Sequence, residues 1–171
     1  MTPIVAAALP ADALLRVHDR NGAYVDSFAT VVTGRIALEQ FVAAFYTSGL
    51  FRIERWLLGL LVGRASTDAE ALQLAAATRA SFAAWDVEAR DLRQLLLRDF
   101  SGRTRSWLMV EPAAGQTRLF FGSAVLATVD RRSGRPVLGW RVRALLGFHQ
   151  VYSRGLLRAA VRRLPTGAGG A

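Results

Sequence analysis

At Ala84 the apolar residues change period. Before it they recur at steps of three and four. From Trp85 to Val129 they alternate, and the chain reads as four strands in succession: Trp85 to Arg90, Gln94 to Asp99, Arg105 to Glu111 and Thr117 to Val129. The links are short and carry turn residues, Ser101-Gly102 and Pro112-Ala-Ala-Gly115. Such links join antiparallel neighbours, because a parallel pair needs a crossover of a dozen residues or more. The result is a meander, and one face of it has to be covered. The helical run from about Trp140 to Leu164, stopped by Pro165, is the element long enough to do so. Roughly 22 residues at ~1.5 Å each reach ~33 Å, about the width of a twisted sheet.

Upstream, Asn21-Gly22 marks a turn before a strand from Tyr24 to Val32, which Gly34 ends. Ile36 to Gly63 is helical in period, and Thr47-Ser48-Gly49 divides it into two short helices. Thr67-Asp-Ala-Glu70 has the form of a capping box and predicts a helix from 67 to about Phe82. Pro3 and Pro10 interrupt residues 1–17, which read as a loosely ordered lead-in. Residues 18–164 read as one domain and 165–171 as a flexible tail. The fold class that follows is α+β.

At 171 residues the chain is long enough to bury a real core. It has no Cys, hence no disulfide, thiol nucleophile or cysteine-bound metal, which fits a reducing cytoplasm. His18 and His149 have no metal-like partner at helical spacing, and no Gly-rich phosphate loop is present, so neither metal nor cofactor is expected. No G-x-S-x-G surrounds Ser123. Asp86, Glu88 and Asp91 interleave with Arg90 and Arg93 and read as ion pairs on a solvent face. The uncharged stretch Trp56 to Gly63 is far short of the roughly 20 residues a membrane span needs, and the N-terminus lacks a basic n-region. A soluble cytoplasmic protein is expected.

Charge is distributed unevenly. Residues 1–130 hold 13 Arg and 13 acidic residues and cancel; beyond Asp130 there are nine Arg and no acid, which gives the net +9. There is no Lys, so part of the Arg content reads as a GC-rich codon bias. The missing acids are not explained that way.

The order strand, helices, meander and long terminal helix resembles the helix-grip fold of the START-like superfamily, which includes polyketide cyclases, pollen allergens and lipid-transfer domains. Asp26-Ser27-Phe28, Leu119-Phe-Phe-Gly-Ser-Ala-Val125 and Phe148-His-Gln-Val-Tyr-Ser153 are similar to segments of an uncharacterised bacterial family within it. The resemblance spans residues 20–164, with the helix at 67–82 as an insertion. It implies an antiparallel sheet wrapped around the C-terminal helix, with a cavity between them for a small apolar or amphipathic ligand.

At ~100° per residue Leu145, Phe148, Tyr152, Leu156 and Ala159 share one face of that helix, with His149 at its shoulder. In a helix-grip domain this face lines the cavity, so His149 and Tyr152 are the candidates for acid–base work in a cyclase- or dehydratase-type enzyme. The same two residues also read as core groups bonded to strand backbone. Trp56, Trp85, Trp107, Trp140 and Phe120-Phe121 are candidate pocket aromatics, with Trp107 and Phe121 expected to face the helix. Arg154, Arg158, Arg162 and Arg163 read as a solvated outer face or as a patch for an anionic membrane. Nucleic acid is the weakest reading, since no interleaved exposed aromatics or known motif accompany them.

Overall fold

The computed structural model describes residues 3–62, 66–126, 128–129, 136–137 and 140–165; side chains are described for these except at positions 54, 57–62, 128–129, 136–137 and 140–149. In chain order the elements are β1 (Val5–Ala6), α1 (Arg16–Arg20), β2 (Tyr24–Thr33), α2 (Leu38–Tyr46), α3 (Gly49–Val62), α4 (Asp68–Ala75), β3 (Ser81–Phe82), β4 (Trp85–Arg90), β5 (Gln94–Asp99), β6 (Thr104–Ala113), β7 (Gln116–Val125), β8 (Thr128–Val129), β9 (Pro136–Val137) and α5 (Trp140–Val161). Among the described residues the strands form a seven-stranded sheet, ordered β1-β2-β7-β6-β5-β4-β3, and a separate β8-β9 pair. Every neighbouring pair is antiparallel. β3 to β7 are the meander; β2 closes it by pairing with β7 over ten residues, from Tyr24↔Val125 to Thr33↔Gln116. With α5 packed against α2, α3, β2 and β7, this is the α+β helix-grip architecture.

Local chemistry sets the helix boundaries. Thr47 Oγ1 donates to Ala43 O (2.8 Å) at the end of α2, and the Ser48 hydroxyl accepts from Phe51 N at the start of α3. Thr67 and Glu70 form the reciprocal capping box: Glu70 N donates to Thr67 Oγ1 (3.2 Å) and Thr67 N to Glu70 Oε2 (2.8 Å).

Three stretches differ from the sequence reading. The last predicted strand is divided, with β7 ending at Val125. The helix begun at Thr67 ends at Ala75 rather than Phe82, because Ala77 turns left-handed (φ 59°) and Arg90 donates to the carbonyls of Leu74 (2.6 Å) and Ala75 (2.5 Å). Leu74 O also accepts from Ala77 N (3.1 Å), and carbonyls at a helix end lack i+4 donors, so a guanidinium from β4 completes it. Phe82 is thereby released into the β3–β4 hairpin. The lead-in also carries structure: Val5 and Ala6 pair with Ala29 and Phe28 on the edge of β2, and Leu15 is fully buried.

Strand alternation sorts the core into two layers. Leu108, Val110, Leu119, Phe121, Leu95 and Leu97 point to the helices, where they meet Phe41, Phe45, Tyr46, Phe51, Leu156, Leu157 and Ala160. Trp107, Met109, Phe120, Ala124 and Leu96 point the other way and are covered by Leu9, Ala13, Leu14 and Leu15 of the lead-in. Trp107 pairs across the ladder with Gly122, and a Cβ at Gly122 would lie 2.9 Å from the Trp107 ring, 2.9 Å from Asp26 O and 3.0 Å from Leu15. Only glycine fits beneath that ring.

On α5 the buried described residues are Ser153, Leu156, Leu157, Ala160 and, just beyond the helix, Leu164; Tyr152 and Ala159 are half-buried at the flank. The helix is therefore turned from the predicted face. Its small residues seat it against the other helices: a Cβ at Gly155 would come within 3.2 Å of Leu50.

Candidate functional site

A hollow of about 160 Å³ lies between the helix-facing side of the sheet and α5. Its apolar wall comes from Phe45 of α2, Phe51 of α3, Trp85 of β4, Phe121 of β7 and Leu156 of α5. Phe45 packs against Phe121 with ring centroids 4.7 Å apart and against Phe51 at 6.0 Å. Tyr152, at the shoulder of α5, completes this wall.

The remainder of the lining is polar. Thr104, Arg105 and Ser106 of β6, Ser123 of β7 and Ser153 of α5 also reach the hollow. Ser106 and Ser123 are cross-strand partners, and Asp26 of β2 is the partner of Ser123 on its other side. The Ser123 hydroxyl donates to Asp26 Oδ1 (2.6 Å), and Ser106 Oγ is 3.2 Å from Tyr46 OH. The Ser153 hydroxyl and the Trp85 indole N–H are buried and have no hydrogen-bond partner among the described residues.

The predicted site residues divide three ways. Phe121, Tyr152, Leu156 and Trp85 line the hollow. Trp107 does not: it is fully buried in the opposite layer, where its indole N–H donates to Gln94 Oε1 (2.9 Å), and Phe120 lies there with it. Trp56 is exposed on α3. The side chains of Leu145, Phe148, His149 and Trp140 fall outside the described residues. Phe45, Phe51, Ser106, Ser123 and Ser153 were missed. The two strand serines carry a signal only once the register is known, since they become neighbours through pairing rather than spacing.

Elsewhere the charged groups are engaged in structure. His18 Nε2 is 2.7 Å from Glu88 Oε1, and Arg105 Nε is 2.5 Å from Glu88 Oε2, an ion pair not aligned as a hydrogen bond. Glu88 thus bridges α1 to β6. Arg16, at the rim of a second cleft of about 310 Å³ under residues 7–9, donates to the carbonyls of Pro10 (3.1 Å) and Leu9. Burial pushes the guanidiniums of Arg55 and Arg90 below their ordinary value. The charge of Arg52 adds to this at Arg55, while Glu70 opposes it there and Glu39 opposes it at Arg90. Arg154, Arg158, Arg162 and Arg163 are exposed, and among the described residues none forms an ion pair. The Arg154 guanidinium lies 5.2 Å from the Phe28 ring centroid, covering a buried aromatic while its head stays wet. No helix among the described residues is long and apolar enough to cross a membrane.

Among solved structures the chain is similar to CalU16 from Micromonospora echinospora. The solution NMR structure of that protein aligns at a TM-score of 0.42 with 13% identity, over 98% of this chain and 78% of that one. Its crystal structure aligns at 0.34 with 15% identity, over 95% and 92%. No family model and no curated protein matches the chain.

Proposed function

We propose that the chain binds a small amphipathic ligand between its sheet and α5. The observation that carries this reading is a hollow of about 160 Å³ walled by aromatic rings on one side and hydroxyls on the other. Protein interiors leave few voids larger than a single water. This one has room for about five at ~30 Å³ each, and an apolar cavity of comparable size (~150 Å³) is known to take up benzene. Toluene titrated into the protein is expected to shift the NMR signals of the Leu156 methyls and the Trp85 indole. Leu156→Trp, which fills the space, should abolish those shifts. Wild-type spectra that toluene leaves unmoved would overturn the reading.

A second reading concerns the outer surface. Arg154, Arg158, Arg162 and Arg163 form an exposed cationic group to which an anionic bilayer would add on the order of 1 kcal/mol per residue. Sedimentation with vesicles of anionic lipid should bind the protein at low salt and release it at high salt. Binding that persists when all four are replaced by Gln, or no binding at low salt, sinks it.

A further inference from the structure

The hollow is polar where its fold has no need for polarity. Ser106, Ser123 and Asp26 form one row across three strands on the face that elsewhere carries Leu108, Val110 and Phe121. On the α5 wall Ser153 is 1% exposed and its hydroxyl has no partner among the described residues; the N–H of half-buried Trp85 is likewise buried and unpartnered among them. A buried donor or hydroxyl left unpaired costs about 1–3 kcal/mol. Helix propensity does not compensate at Ser153, since Ala is the better helix former. Packing does not require it either, because a methyl would fill nearly the same space. These two groups stand on different elements, α5 and β4, yet line the same hollow.

We infer that Ser153 and Trp85 are the polar recognition groups of this cavity, and that its ligand is a single-ring compound carrying an oxygen substituent. The chemistry follows from the donors. An indole N–H can only donate, so the ligand atom facing it must accept. That selects a hydroxyl or carbonyl oxygen and rejects an ammonium. The cavity volume sets the size at about one six-membered ring, and Phe45, Phe121 and Leu156 offer that ring an apolar seat. The inference rests on the cavity reading proposed above and specifies what the cavity selects.

Phenol and toluene test it, because they differ only by a hydroxyl in place of a methyl. NMR titrations would give both dissociation constants for wild type, Ser153→Ala and Trp85→Phe. Each variant is expected to weaken phenol about tenfold, the equivalent of one neutral hydrogen bond, and to move toluene less than about twofold. Ser153→Ala removes a hydroxyl that bonds to no described residue, so its melting temperature should not fall below that of wild type. A phenol-to-toluene ratio unchanged in both variants, with toluene still bound, overturns the inference and leaves the cavity reading in place. Failure of wild type to bind either probe overturns both.

Discussion

The two faces of the seven-stranded sheet are built from the same strands and packed in opposite ways. On the outer face the Trp107 ring lies over Gly122 with no room for a methyl, and Leu15 closes the layer. Around that ring the polar atoms of Gln94 are engaged: Oε1 accepts from Trp107 Nε1 and from Leu14 N (both 2.9 Å), and Nε2 donates to Asp12 O (3.0 Å). On the inner face aromatic rings surround a hollow, and among the described residues the Ser153 hydroxyl and the Trp85 N–H bordering it have no hydrogen-bond partner. Space and unpaired donors around the hollow cost stability there. The close-packed ring of Trp107, with Leu14 and Leu15 of the lead-in laid against it, contributes stability on the other side. In this chain the face proposed to bind and the face packed around Trp107 are the two sides of one ladder.

Trp107→Ala is the most direct way to break the contrast. It opens a cavity in the tight layer and leaves Gln94 without its indole donor, so a loss of about 3–5 kcal/mol is expected from denaturant unfolding. A loss near 1 kcal/mol would mean that the outer layer is not where stability is held. Gly122→Ala approaches the same point from the other side. The added Cβ meets backbone at Asp26 as well as the Trp107 ring, and neither is the free end of a flexible chain. Overpacking of this kind costs about 1–3 kcal/mol; a variant as stable as wild type would show that the layer has slack.

How much of this could be read without coordinates depends on the range of the forces involved. The meander, the break at Thr47 to Gly49 and the Thr67 capping box were legible because turns, caps and periodicity act over a few residues. The end of α4 was not, because it depends on Arg90, 15 residues beyond Ala75, and on alanines at positive φ. The pairing of Val5 and Ala6 with β2 is long-range in the same sense. Trp107 failed for a subtler reason. With strands taken to end at Glu111 and resume at Thr117, Trp107 stands opposite Phe121. The real link is the two-residue turn Ala114-Gly115, with Ala113 paired to Gln116, and this moves Trp107 opposite Gly122. A shift of one residue exchanges the faces. The site inherited that error on its sheet side. On the helix side Tyr152 and Leu156 both border the hollow, and their shared face was legible because α5 has regular period.

Two further substitutions sharpen the comparison. Gln94→Ala should strand the Trp107 and Leu14 N–H groups and lower stability by about 2 kcal/mol, since each buried donor left unpaired costs about 1–3 kcal/mol. Added protease should then cleave within residues 1–12 faster than in wild type; unchanged stability and cleavage would show that Gln94 does not hold the lead-in down.

On the inner face the sign of the effect reverses. Ser153→Ala deletes a buried hydroxyl that has no partner among the described residues and replaces Ser by the better helix former, so both contributions favour the variant. The change is expected to be small, at most about 1 kcal/mol, and stabilising. The same substitution at Ser106 should go the other way, because it removes a hydrogen-bond partner of the buried Tyr46 hydroxyl. Opposite signs at two serines bordering one hollow would separate the hydroxyl that serves the fold from the one kept against its interest. If Ser153→Ala instead destabilises as Ser106→Ala does, both hydroxyls are structural and the two faces of the sheet differ only in how tightly they are packed.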